Sequence, residues 1–145
     1  KAELFSKKIG AWFFGKQLGA FPVKRGAGDT GAIDRAREIV NSGRLLGIFP
    51  EGTRSRDGQL GRAKSGTALI ASQTGAAVIP VAIKTKGQKV RPFQKTFLLI
   101  GPALTLEELH LDNPEHPDLR YASRKLMEVI GEMLERTVTG QEEKA

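Results

Sequence analysis

The chain contains no cysteine, which excludes disulfides, thiolate chemistry and thiol nucleophiles. Histidine is nearly as scarce. His110 and His116 are the only two in 145 residues, with no clustered ligands beside them, so a metal site is not expected. No run reaches the ~20 apolar residues needed to span a bilayer. No signal peptide is visible, because Lys1-Ala2-Glu3 leads straight into an amphipathic stretch. An initiator methionine is also missing, so the natural N-terminus is expected to lie outside these residues. No internal repeat, low-complexity segment or domain boundary stands out, and one domain over residues 1–145 is the expectation.

What is present is basic. The 23 Lys and Arg outnumber the 16 Asp and Glu, for a net charge of +7. That balance favours a polyanionic partner: nucleic acid, an anionic membrane, or a phosphate-bearing substrate. The basic residues are spread along the chain and not gathered into one arm, which argues against nucleic acid.

Taken in order, Leu4, Phe5, Ile9, Trp12, Phe13 and Leu18 recur near helical spacing with Lys7, Lys8 and Lys16 between them. This predicts an amphipathic helix over residues 3–18, suited to a membrane interface or to packing on a core. Phe21-Pro22-Val23 reads as a short edge strand, since Pro22 lacks an N–H. After the basic loop Lys24–Gly28, a helix capped by Asp29 or Thr30 carries Ile33, Ala36, Ile39 and Val40 and closes at Gly43. Leu45–Phe49 reads as a strand, completing a strand–helix–strand unit of parallel hand. A helix is predicted over Lys64–Thr74, with Lys64 in a first turn where a cation is unfavourable against the macrodipole. Strands over Ala77–Lys84 and Phe97–Ile100 flank a basic loop at Thr85–Pro92. Leu119, Ala122, Leu126, Val129, Ile130, Met133 and Leu134 predict a helix over residues 117–138, followed by a frayed tail. The fold class this implies is α/β, a mostly parallel central sheet flanked by helices.

One stretch organises the rest: Phe49-Pro50-Glu51-Gly52-Thr53-Arg54-Ser55. It lies where a strand is predicted to end, and open α/β sheets place ligands at such ends. Pro50 helps to end the strand. Gly52 permits positive φ and lets backbone N–H groups approach an anion. Thr53 and Ser55 add hydroxyls, and Arg54 adds a planar fork of donors suited to phosphate. Glu51 would repel a phosphate, so its carboxylate makes better sense holding an arginine or a substrate hydroxyl.

This stretch resembles the signature of the glycerolipid acyltransferases, the 1-acyl-sn-glycerol-3-phosphate (lysophosphatidic acid) acyltransferase family. Three other blocks agree in the same order: Gly19-Ala20-Phe21-Pro22-Val23-Lys24-Arg25-Gly26, then Lys64-Ser65-Gly66, then Val78-Ile79-Pro80-Val81-Ala82-Ile83. The resemblance runs from Lys1 to about Ile100. It departs in one respect. The family's His-x-x-x-x-Asp pair is absent, since Glu115 lies five places after His110 and Tyr121 five after His116. Neither histidine is therefore a candidate base. Lys1–Phe5 resembles the segment following that pair in the family, so the pair is expected upstream, and these 145 residues alone are expected to be inactive.

The resemblance implies transfer of an acyl chain from acyl-CoA or acyl-carrier protein to a lysophosphatidic acid, giving phosphatidic acid at the cytoplasmic face of a membrane. It assigns substrate binding to Arg25, Glu51, Gly52, Thr53 and Arg54, with no catalytic residue among those present. No cofactor beyond the acyl donor is implied. Two rivals stand beside it: an acyltransferase with another acceptor, and a catalytically silent anion- or membrane-binding module.

Overall fold

The computed structural model describes residues 21, 30–52, 59–85 and 95–141, with side chains in the last segment through Arg136. The chain divides into two compact units, Lys1–Leu46 and Gly47–Ala145. The predicted helix over 3–18, Val23 of the predicted first strand, most of the basic loop after Thr85 and the last four residues lie outside the described residues. Phe21 is described, and it is not in a strand.

In the first unit, helix α1 spans Thr30–Asn41, as its apolar spacing predicts, and buries Ala36. Its end is sharply defined. Gly43 takes φ +75°, its N–H donates to the Val40 carbonyl at 2.9 Å, and the Arg44 N–H donates to Ile39 at 3.3 Å. This pair of bonds is the Schellman arrangement, and it needs a residue that tolerates the left-handed region.

The second unit holds helix α2 (Gly66–Thr74), strands β1 (Val81–Thr85) and β2 (Thr96–Ile100), and helix α3 (Leu119–Gln141). Asp118 starts α3 by accepting the Tyr121 N–H on its carboxylate at 2.8 Å, which satisfies an otherwise orphaned first-turn donor. Along α3, Ala122, Leu126 and Ile130 are buried at four-residue intervals, and this stripe packs on β1 and α2. The core they join also takes Ala68, Ala71, Ala82, Leu104, Leu109 and Leu111.

Of two expectations about the strands, one is not confirmed among the described residues and the other fails. The described sheet is not mostly parallel: it has two strands, and β1 pairs antiparallel with β2, Val81 opposite Ile100 and Thr85 opposite Thr96. Antiparallel neighbours can be joined by a short link, whereas a parallel pair would need a crossover, which is usually helical. Leu45–Phe49 is not a strand either. It is irregular backbone with Leu45 93% and Phe49 75% exposed, outside the only described sheet. Composition supplied β-forming side chains there, but a strand requires a paired neighbour.

Pro80 shapes the start of β1. The ladder continues past the strand as a Val78–Leu104 bridge, with two residues between Val78 and Val81 against three between Ile100 and Leu104. The extra residue is a bulge. Pro80 cannot donate, but its carbonyl accepts the Gly101 N–H at 2.9 Å. Gly101 fits because it has no side chain: a Cβ there would lie 2.9 Å from both the Pro80 ring and the Met133 sulfur.

The two sheet faces differ. Ala82 is buried beneath α3, while Val81, Ile83, Leu98 and Ile100 lie on the opposite face and are exposed.

The link between β2 and α3 carries a capping box. The Thr105 hydroxyl accepts the Glu108 N–H at 3.2 Å, and the Glu108 carboxylate accepts the Thr105 N–H at 2.7 Å. The Thr105 backbone bond, followed by its hydroxyl bond, holds the Glu108 carboxyl below its ordinary range.

Candidate active site

The signature begins as a β-turn. The Gly52 N–H donates to the Phe49 carbonyl at 3.0 Å, which places Pro50 at the second position and Gly52 at the fourth. Proline presets φ at that second position, which explains why the chain turns here. Gly52 itself has φ +67°, so the freedom expected of it is used.

Two longer-range bonds tie this turn to the chain beyond the loop. The Lys64 N–H donates to the Pro50 carbonyl at 2.8 Å. The Gly61 N–H donates to the Glu51 Oε2 at 2.8 Å. The Lys64 side chain lies against Gly52, where a Cβ would come within 3.0 Å of Lys64 Cδ. The structure therefore brings Glu51 and Gly52 together with the Lys64-Ser65-Gly66 block.

That block leads directly into α2, which begins at Gly66 and not at Lys64 as expected. Ser65 occupies the cap position in helical geometry, with φ −68° and ψ −6°, and its side chain makes no cap bond. The first-turn amides of α2 are thus left without a capping hydroxyl, with Lys64 one residue upstream. Helix N-terminal amides carry partial positive charge, so backbone donors and an ammonium here share one electrostatic sense.

Of the five predicted binding residues, Glu51 and Gly52 are placed as described. Arg25, Thr53 and Arg54 lie outside the described residues. Gly61 was missed by sequence reasoning. Its partner lies ten positions away, and no helical or strand periodicity relates the two.

The histidines sit elsewhere in the chain, in the connection before α3. His110 is exposed, has φ 53°, and stacks on Tyr121 with ring centroids 3.9 Å apart. His116 is also exposed. No metal-binding cluster occurs among the described residues, and no helix among them is long and apolar enough to cross a membrane.

Comparison with known families adds the deciding observation: residues 1–84 match the family model described as Acyltransferase. The chain belongs to the acyltransferase family. The match ends just after the block around Pro80 and includes the whole signature. The acyltransferase relatives include the chloroplastic 1-acyl-sn-glycerol-3-phosphate acyltransferase LPAT1 of Arabidopsis thaliana, 35% identical over 63% of this chain and 26% of that protein. The 1-acyl-sn-glycerol-3-phosphate acyltransferase of Bacillus subtilis is 34% identical over 79% of this chain and 58% of its own. A third, from Pseudomonas aeruginosa, is named lyso-ornithine lipid O-acyltransferase and is 33% identical over 68% of this chain and 38% of its own. The chain thus spans about a quarter of the Arabidopsis relative and somewhat over half of the Bacillus one. No solved structure matches.

Proposed function

We propose that the protein carrying these residues moves a fatty acyl chain from acyl-CoA or acyl-carrier protein to 1-acyl-glycerol-3-phosphate, forming phosphatidic acid. The observation that carries this reading is the signature turn, with Gly52 in the left-handed region and its backbone tied to the Lys64-Ser65-Gly66 block. The names of the Arabidopsis and Bacillus relatives support the same acceptor. In this reading Arg25 and Arg54 grip the phosphomonoester, the amide or hydroxyl of Thr53 assists, Gly52 sets the turn with its N–H engaged by the Phe49 carbonyl, and Glu51 belongs to the same site. A mostly parallel central sheet flanked by helices remains the expectation for the whole protein. The reaction takes place at the cytoplasmic face of a membrane, with Trp12, Phe13 and Phe14 entering the interface beside Lys7, Lys8 and Lys16. Flotation with anionic vesicles that resists both salt and Trp12→Glu would refute that attachment.

The acceptor assignment is tested by kinetics on paired acceptors with the whole protein. A charge-assisted arginine–phosphate contact contributes roughly 1.5–3 kcal/mol. Arg25→Ala or Arg54→Ala should therefore lower use of lysophosphatidic acid by about one to two orders of magnitude. Arg→Lys should restore only part of the loss, because an ammonium lacks the bidentate fork. A neutral lysolipid should be nearly indifferent to these changes. Equal losses on both acceptors would make the arginines structural.

A second reading has its own support. The Pseudomonas relative is named for a different acceptor, a lyso-ornithine lipid. An acceptor screen that shows a preference for such a lipid over lysophosphatidic acid would favour it.

A further inference from the structure

We infer that Glu51 is a positioning residue, whose carboxylate latches the two ends of the signature loop together by accepting the backbone N–H of Gly61. The inference rests on the acyl-transfer reading for its kinetic consequence, but not for its geometry. Glu51 Oε2 and the Gly61 nitrogen are 2.8 Å apart across a ten-residue step. Thr53 and Arg54 lie inside that step. The Pro50–Lys64 bond encloses it as an outer ring, so the loop is closed twice: once by backbone, once by the carboxylate.

This geometry answers the difficulty that Glu51 raises as a neighbour of an anion site. A carboxylate accepting an N–H is partly neutralised and directed toward the protein, so it need not oppose a bound phosphate. It also explains Gly61. A Cβ at residue 61 would lie 2.8 Å from Glu51 Oε2, closer than real Cβ contacts allow, so any larger residue would displace the oxygen. Because that oxygen ends a flexible side chain, a small residue at 61 costs a shift of the carboxylate and not a rearrangement of the backbone. Closing a loop removes conformational freedom that binding would otherwise have to remove, which tightens the acceptor complex.

The latch requires an acceptor oxygen at residue 51 and not a negative charge. That separates it from a direct charge role, in which Glu51 holds an arginine or a substrate hydroxyl. In the whole protein, Glu51→Ala should raise the KM for lysophosphatidic acid about tenfold, the cost of one charge-assisted hydrogen bond. The KM for the acyl donor should not move. Glu51→Gln keeps a carbonyl oxygen and should stay within about threefold of the native enzyme, since a neutral acceptor forms a weaker bond. Gly61→Ala, which the carboxylate can admit by shifting, should have a smaller effect in the same direction. Hydrogen exchange followed by mass spectrometry on the peptide spanning residues 59–64 gives a readout independent of activity. Its exchange should quicken in Glu51→Ala and Gly61→Ala, and stay slow in Glu51→Gln.

Native-like exchange in Glu51→Ala would overturn the latch. A Glu51→Gln variant as impaired as Glu51→Ala would overturn positioning in favour of a direct role for the charge. Exchange that follows the expected pattern with no change in acceptor kinetics would leave the latch standing and overturn the reading of the signature as the acceptor site.

Discussion

Two regions of the second unit are held together by different physics. The β1–β2–α3 layer with α2 is built by burial: Ala82, Leu109, Leu111, Ala122 and Leu126 are each at most 5% exposed, and no polar side chain is fully buried among the described residues. The signature turn has almost no core. Phe49 and Gly52 are exposed, and the order of this region comes from hydrogen bonds and one left-handed glycine. The packed layer derives its stability from apolar area, which is tolerant of direction. The turn derives its shape from directional bonds, which fix where donors point but contribute only about 1 kcal/mol each. A surface that must present groups to a ligand is better served by the second kind of order.

That contrast makes unequal predictions. The largest effect should follow from Leu111→Ala. This side chain is 1% exposed within the core, and such truncations cost about 2–5 kcal/mol. Denaturant unfolding should show the loss. If it amounted to only a few tenths, the division between a packed layer and a bonded turn would be wrong.

A smaller loss, about 1–2 kcal/mol, is expected for Gly52→Ala, because an L-residue resists φ +67°. Lys64→Ala in the same background should relieve the contact with the new Cβ but not the backbone strain, so recovery should be incomplete. Complete recovery would mean that crowding, and not the left-handed backbone, sets the glycine requirement.

The smallest effect is one of pH. Folding lowers the pKa of Glu108 through its bonds to Thr105, so its contribution is fully present above the unfolded value of 4.5 and is lost as pH falls through the lower folded value. A Thr105→Ala variant should flatten this acid-side slope slightly in unfolding measurements between neutral pH and the acid limb. An unchanged slope would show that the Thr105 hydroxyl contributes nothing to the pH dependence, which would then rest on the backbone bond alone.

Helices α1 and α3 were legible in the sequence because each carries its own periodic signal. Ile33, Ala36, Ile39 and Val40 mark α1, and Leu119 through Leu134 mark α3. Gly43 was legible for the same local reason, since a helix end needs a left-handed residue. Strand direction was not local. The run Ala77–Lys84 reads as a buried strand and Phe97–Ile100 as a last strand, yet the observed pair is antiparallel with one face open. Leu45–Phe49 failed similarly, its side chains being right and its partner absent from the described sheet. Leu104, Leu109 and Leu111 escaped notice because a turn delivers them to the core without any repeat. At the candidate site, the turn residues Pro50 and Gly52 were legible from chemistry. Gly61 was not, because only the folded loop brings it to Glu51.

The antiparallel pairing also bears on the order in which the second unit can form. Thr85 and Thr96 meet across a short link, and each further pair outward, to Val81 with Ile100, adds to a contact already made. Closing such a link costs little chain entropy, and doubling its length would add only about 0.6 kcal/mol. Contacts of low sequence separation are the ones that form quickly, whereas a parallel pair must wait for a crossover to be in place. The β1–β2 pair thus holds within its own twenty or so residues all the chain it needs for pairing, while the packing of α3 on Ala82 supplies the stability that an isolated hairpin lacks.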